Sequence, residues 1–140
     1  MASPNAPSNA PIDKIITVQS FETDGKLKLL RGYAGGGFQV NDAFVTGSII
    51  LHPREIHTCP VSDSSQLSHE LFEPHITIVK PDMVLIGVGG NPTHLYQPIR
   101  DYFKQQAIGV DIMSTSSACR TWNVLLSEGR QVVSCLIAIP

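Results

Sequence analysis

The sequence predicts an α/β fold: a single three-layer domain with a β-rich N-terminal half and helices packed on the sheet of a β-α-β-α-β C-terminal half. Three observations carry that prediction. From Met83 to Ile139, short apolar runs rich in β-branched residues alternate with helical patterns, the signature of parallel strands joined by crossover helices. From Ile15 to Leu51, strand-length runs are separated by turn residues, which reads as antiparallel β. Finally, 140 residues of which 42% are hydrophobic suffice to bury one core and fall short of two.

Residues 1–14, opening with MASPNAPSNAP, are expected to be a disordered tail, leaving 15–140 as the globular domain. Ile15 to Phe21 and Lys26 to Tyr33 read as short strands joined into a hairpin at Thr23-Asp24-Gly25. Phe38 to Val40 is the next strand, an Asn-Asp turn follows, and Phe44 to Leu51 is another that Pro53 ends. Between residues 60 and 75 the pattern becomes helical. The VSDSSQ cluster supplies capping side chains, Leu67, Leu71 and Phe72 make one apolar face, and Pro74 closes the helix.

The C-terminal half begins with the strand Met83 to Val88, which runs into the glycine cluster of VLIGVGGNPTHL. A helix starts near Pro98, because proline suits a first turn and breaks later ones, and turns Ile99, Tyr102, Phe103 and Ala107 toward the core. Gly109 stops it, and Val110 to Met113 form the next strand. A third helix is capped by Ser116 or Ser117, carries Ala118, Trp122, Leu125 and Leu126 inward, and ends at Gly129. Val132 to Ile139 form the last strand.

Composition excludes several classes of function. Ten Lys plus Arg against twelve Asp plus Glu give a net charge of -2, with no basic run able to neutralise several phosphates, so nucleic acid is not an expected partner. No apolar stretch approaches the roughly 20 residues of a transmembrane helix. The N-terminus carries neither the features of a secretory signal nor the arginines of a mitochondrial presequence, and the expected compartment is the cytoplasm. Cys59, Cys119 and Cys135 are an odd number without C-x-x-C spacing, which suits reduced thiols better than disulfides or zinc knuckles.

The glycine cluster is the first place to look for chemistry. A right-handed crossover makes the parallel strands Met83 to Val88 and Val110 to Met113 end at one sheet edge, with the loops Gly87 to Asn91 and Ser114 to Arg120 side by side. Ligands of open α/β sheets sit at such edges, and a helix beginning there presents free N–H groups. Gly87, Gly89, Gly90 and Asn91 would form one wall of a cleft; Ser117, Cys119, Arg120, Thr121 and Asn123 would form the other, with Arg120 offering a fork of donors to an anion. The dinucleotide fingerprint fails in three respects: Pro92 replaces its third glycine, the helix begins late, and Ser114 stands where a ribose-binding carboxylate is wanted. No cofactor is therefore expected, and the glycines serve either a tight turn or a site for a small anionic metabolite.

Two further constellations are weaker. HPREIHTC places His52, His57 and Cys59 close together, but without a second ligand pair downstream, so no metal site is expected. Cys119 at a helix start beside Arg120, with His94 as base, could make a nucleophilic dyad, yet spacing alone supplies no catalytic set. There is no G-x-S-x-G, P-loop lysine or carboxylate pair, and no catalytic residue is assigned.

The stretch GVDIMSTSSACRTWNVLLSEGRQVVSCLI, with GYAGGGFQVNDAFVTGSIILHP and VLIGVGG, resembles a small bacterial and archaeal domain family of unassigned biochemistry. Its eukaryotic relative is the mitochondrial respiratory complex I assembly factor three. The resemblance covers roughly residues 15 to 139 and is densest at Ala118-Cys119-Arg120-Thr121-Trp122-Asn123 and Glu128-Gly129-Arg130. It implies a three-layer fold with a mixed sheet, no assumed enzymatic activity, and a role in protein interaction or assembly. That role brings protein partners, a homo-oligomer among them, and peripheral membrane association through a partner. The chain departs from the family pattern at Ser114, where an aspartate is usual, and at Trp122, where a tyrosine is usual.

Overall fold

The computed structural model describes residues 24–140; the expected tail over 1–14, the strand Ile15 to Phe21 and the start of its hairpin lie outside the described residues. Strands β1 (Leu30–Gly32), β2 (Gly37–Val40) and β3 (Ala43–Thr46) form a small antiparallel sheet in that order. Asn41, with φ 50°, makes the Asn-Asp turn between β2 and β3, a left-handed position that asparagine tolerates.

The single strand expected over Phe44 to Leu51 is two strands in two sheets. Gly47 has φ 89°, outside the extended region, and there the chain leaves the small sheet. It resumes as β4 (Ile49–His52), which turns back through Pro53 and Arg54 into β5 (Glu55–Thr58). With β6 (Met83–Gly87), β7 (Gly109–Met113) and β8 (Val132–Leu136), these build a five-stranded sheet ordered β5-β4-β8-β6-β7. Strands β8, β6 and β7 run parallel, while β4 is antiparallel to both neighbours, so the sheet is mixed as expected.

Residues 60–75 hold two 3-10 turns, Ser64–Gln66 and His69–Leu71, the first closed by a capping box between Asp63 and Gln66. Pro74 opens helix α1 (Glu73–Val79) instead of closing a helix. Its locked φ and missing N–H fit a first turn, where no intrahelical donor is needed. Helix α2 (Gln97–Gln105) has Pro98 in its first turn, buries Ile99 and Phe103, and ends where Ala107 takes the left-handed position, leaving Gly109 to begin β7. Helix α3 (Thr115–Ser127) is capped by Ser114, two residues before the earlier expected cap. Gly129, at φ 73°, ends it, with Arg130 N–H bonded to Leu125 O.

The central strands β4, β8 and β6 are buried on both faces, and the period of two along them sorts their side chains. Leu51, Leu85 and Leu136 point to one side, where Trp122 and Leu126 of α3 meet Phe38 and Val40 of the small sheet. Ile50, Ile86 and Cys135 point to the other, against Phe72 before α1 and Phe103 of α2, whose rings meet edge-on with centroids 5.3 Å apart. Helices α1 and α2 thus cover one face; α3 and the small sheet cover the opposite one. Two side chains of α3 tie the small sheet down. Trp122 Nε1 donates to Lys28 O at 2.7 Å, and the Asn123 amide bonds both Leu30 N–H and Leu30 O at 2.8 Å, acting as one rung of a missing strand.

Candidate functional site

The edge predicted from the glycine cluster is where the chain leaves adjacent strands for opposite faces: β6 leads to α2 on one side and β7 to α3 on the other. The two loops are bonded directly to each other. Val88 N–H donates to Met113 O at 3.0 Å and Thr115 N–H to Gly89 O at 2.9 Å. The Thr115 hydroxyl accepts from Gly89 N–H at 2.8 Å and donates to Ile137 O at 2.8 Å. Thr115 is fully buried, so its side chain fills the space between the strand ends. Gly87 makes this approach possible, since a Cβ there would lie 2.9 Å from Thr115 Cα and 3.1 Å from Ala118 Cβ. Gly89 has φ 92°, and Gly90 faces open space.

The second wall divides. Ser114 Oγ accepts Ser117 N–H, and Arg120 is exposed on the next turn with Nη2 3.4 Å from Ser117 Oγ. Gly90 and Asn91 are exposed as well. Thr121 is bonded to Met113 Sδ, whereas Asn123 is committed to Leu30. Cys119 lies in the core with Trp122 and Leu126, and burial pushes its thiol up to about 12, against a smaller pull from Arg120. His94 is exposed in the loop before α2, its ring edge-on to Tyr96.

A second constellation assembles from three separate elements. Residues Glu55 and His57 are two apart on β5 and share a face; the hairpin register sets His52 opposite Glu55 on that same face. Because Ile50, opposite His57, points toward α1 and α2, so do the histidines, and α1 lays His75 over them. The three ring centroids stand 4.5, 5.0 and 5.1 Å apart. One ring nitrogen from each of His52, His57 and His75 lies within 4.8 Å of the others.

Glu55 orders the protons in this cluster. Its Oε1 is 3.3 Å from His52 Nδ1 and 3.0 Å from His57 Nε2, and a carboxylate can only accept, so those two nitrogens carry the N–H groups. In the neutral tautomer that this contact selects, the lone pair falls on His52 Nε2 and on His57 Nδ1. His75 Nδ1, 2.8 Å from His52 Nε2, supplies the hydrogen between them. Burial depresses the pKa of both His52 and His75 to about 4, with the neighbouring imidazoles adding to the shift. Neutral imidazoles with directed lone pairs are metal ligands. Sequence spacing showed His52 and His57 but not His75, which lies 23 positions beyond His52. Cys59, the third group suggested by spacing, is instead buried in the core with Sγ 3.9 Å from Cys135 Sγ.

The model of the family described as protein of unknown function DUF498/DUF598 matches residues 30–137, from the first residue of β1 to just beyond β8. The chain belongs to this family. Both constellations lie inside the matched region. The Drosophila melanogaster NADH dehydrogenase [ubiquinone] 1 alpha subcomplex assembly factor 3 is 32% identical over 126 residues, which are 87% of this chain and 64% of that protein. This chain therefore spans less than two thirds of that relative. Among solved structures, a Bartonella henselae protein described as an outer membrane protein superposes with TM-score 0.74 at 30% identity, over 83% of this chain and 98% of that one. A Mth938-like domain from Bordetella pertussis superposes with TM-score 0.69 at 21% identity, covering 89% and 92%, and shares the fold. Among the described residues no helix is long and apolar enough to cross a membrane.

Proposed function

We propose that this protein is a non-catalytic interaction or assembly factor that acts on a membrane-associated complex through a protein partner. The observation that carries the reading is the 32% identity to complex I assembly factor 3 across 87% of this chain. The geometry supports it. The sheet edge where an open α/β fold would receive a ligand is occupied by Thr115, and the Cys119 thiol, the nucleophile offered by the sequence, is held protonated in the core. Leu95 in the loop before α2, Ile78 of α1 and Val124 of α3 are exposed by 74%, 68% and 55%, so each offers apolar surface to a partner. Cys59, Cys119 and Cys135 are free and buried, which fits a reducing compartment and a cytoplasmic site of action.

Two experiments test this reading in the protein's own cell. Deleting the gene should lower the amount of one assembled membrane complex on native gels, with recovery on re-expression. A tagged chain should capture subunits of that same complex, and Leu95→Asp or Ile78→Asp should weaken the capture. Unchanged complexes after deletion, together with no reproducible subunit captured, would overturn the proposal.

Arg120 favours a second reading, in which the cleft takes a small anionic metabolite. Its guanidinium is exposed and makes no ion pair among the described residues. An anion held there should raise the unfolding temperature of the wild type and leave Arg120→Ala unmoved. A panel of phosphates and carboxylates without such a difference removes this reading.

A further inference from the structure

We propose that His52, His57 and His75 form a binding site for a divalent transition-metal ion of the zinc type, with Glu55 orienting the imidazoles. The inference goes beyond an assembly role and stands independently of it. Three imidazoles from two strands and a helix converge with one ring nitrogen each inside 4.8 Å. In a tetrahedral site with Zn–N bonds of roughly 2.0–2.1 Å, ligand nitrogens are about 3.3–3.4 Å apart, so closing this cluster on an ion takes shifts of about 1 Å or less per ring. Side-chain rotation can supply them.

The proton arrangement suits that closure. Glu55 holds the N–H of His52 and of His57, which fixes their tautomers and leaves the opposite nitrogens as lone pairs. A carboxylate behind a ligating histidine is the usual device for raising its basicity and fixing its ring. The one hydrogen inside the cluster sits between His52 Nε2 and His75 Nδ1, 2.8 Å apart. A metal ion would take the place of that proton, which moves to His75 Nε2 as its Nδ1 lone pair turns to the ion. Binding then releases no net proton from His75, because only its tautomer changes.

Ligand type and access set the class of ion. Imidazole nitrogen suits zinc, copper, nickel and cobalt, whereas calcium and magnesium require about six oxygen ligands and three imidazoles supply none. His52 is buried, but His57 and His75 are only partly so, which opens a route for the ion and leaves room for a fourth ligand from solvent. Without an ion, the fold buries His52 at a position where an apolar residue would serve the core, with Glu55 and His75 as its polar partners.

The test uses the full-length chain without a histidine tag, stripped with chelator and titrated with zinc alone by calorimetry at pH 7.5. One ion per chain is expected, with a higher unfolding temperature. Cobalt should give the intense visible bands of a four-coordinate site. His75→Ala and His57→Gln should lose stoichiometric binding, Glu55→Gln should weaken it by about 10- to 100-fold, and His69→Ala, in the 3-10 turn before α1 and outside the three-histidine cluster, should bind normally. Far-UV circular dichroism and denaturant unfolding of each variant separate lost ligation from lost structure, and Glu55→Gln serves as the mild change if a histidine variant fails to fold. Absence of zinc binding by the wild type, or binding left unchanged by His57→Gln and Glu55→Gln, overturns the proposal.

Discussion

Thr115 and Gly89 are joined by two reciprocal hydrogen bonds, Thr115 N–H to Gly89 O at 2.9 Å and Gly89 N–H to Thr115 Oγ1 at 2.8 Å, so the first residue of α3 is locked to the loop after β6. The same hydroxyl reaches Ile137 O and joins three chain segments at one sheet edge. Thr115→Val keeps the shape and removes the hydroxyl, leaving a donor and an acceptor without their partner. The expected cost is about 1–3 kcal/mol. Urea unfolding of wild type and variant measures it, and a change near zero would show that the hydroxyl does not hold this edge.

Gly87 and Gly90 are three residues apart and should respond in opposite ways to an added methyl group. At Gly87 the new Cβ would sit 2.9 Å from Thr115 backbone and 3.1 Å from both Ala118 and Leu136, whereas at Gly90 it would meet nothing within 4 Å. Gly87→Ala is expected to cost about 1–3 kcal/mol through overpacking between strand and helix. Gly90→Ala should change stability by less than about 0.5 kcal/mol. Equal effects at the two positions would contradict the packing.

Asn123 bonds both backbone groups of Leu30, and its removal should loosen the small sheet without disturbing the sheet edge. Asn123→Ala is expected to lower stability by about 1–3 kcal/mol. Amide exchange should speed up at Leu30 while Gly89 keeps its protection. Faster exchange at Gly89 alone would place Asn123 with the loops instead.

Stability of the metal-free protein should depend on pH through His52 and His75. Their folded pKa of about 4 lies below the ordinary value of 6.5, so between these limits the unfolded chain binds more protons than the folded one. Unfolding free energy therefore rises with pH across that window. The contribution is complete above about 6.5 and is lost as pH falls toward 4. Denaturant titrations in chelator at pH 7.5, 6, 5 and 4.5 should show the decline, and His75→Gln should flatten it. A profile identical in the variant would mean that other groups control acid sensitivity.

Much of this architecture is legible in the sequence because it rests on short-range rules. The C-terminal β-α-β-α-β order follows from periodicity and from Pro98 and Gly129, whose backbone preferences act within a single turn. The three-layer arrangement follows once both faces of the strands read as apolar. Where the reading departs from the structure, a local signal had two outcomes. Pro74 can end a helix or begin one, and only Phe72, buried just ahead of it, shows that α1 begins here. Phe44 to Leu51 is apolar enough for one strand, yet Gly47 divides it between two sheets.

The candidate sites divide in the same manner. That the glycine loop and the start of α3 meet at one edge follows from chain order and crossover handedness, and the bonded pair Gly89 and Thr115 realises it. That Asn123 and Cys119 turn to β1 and the core could not be read from their proximity to Arg120, since neighbours on a helix face different ways.

By itself the sequence determined the α/β class, the strand and helix order of its C-terminal half, and membership in a family related to an assembly factor. The tertiary structure alone decided that His52, His57 and His75 meet. Two of these histidines share a face only because the β4–β5 register sets Glu55 opposite His52, and the third arrives only because α1 packs on that face. Register and packing are long-range consequences of burying both sides of one sheet, and no spacing along the chain encodes them.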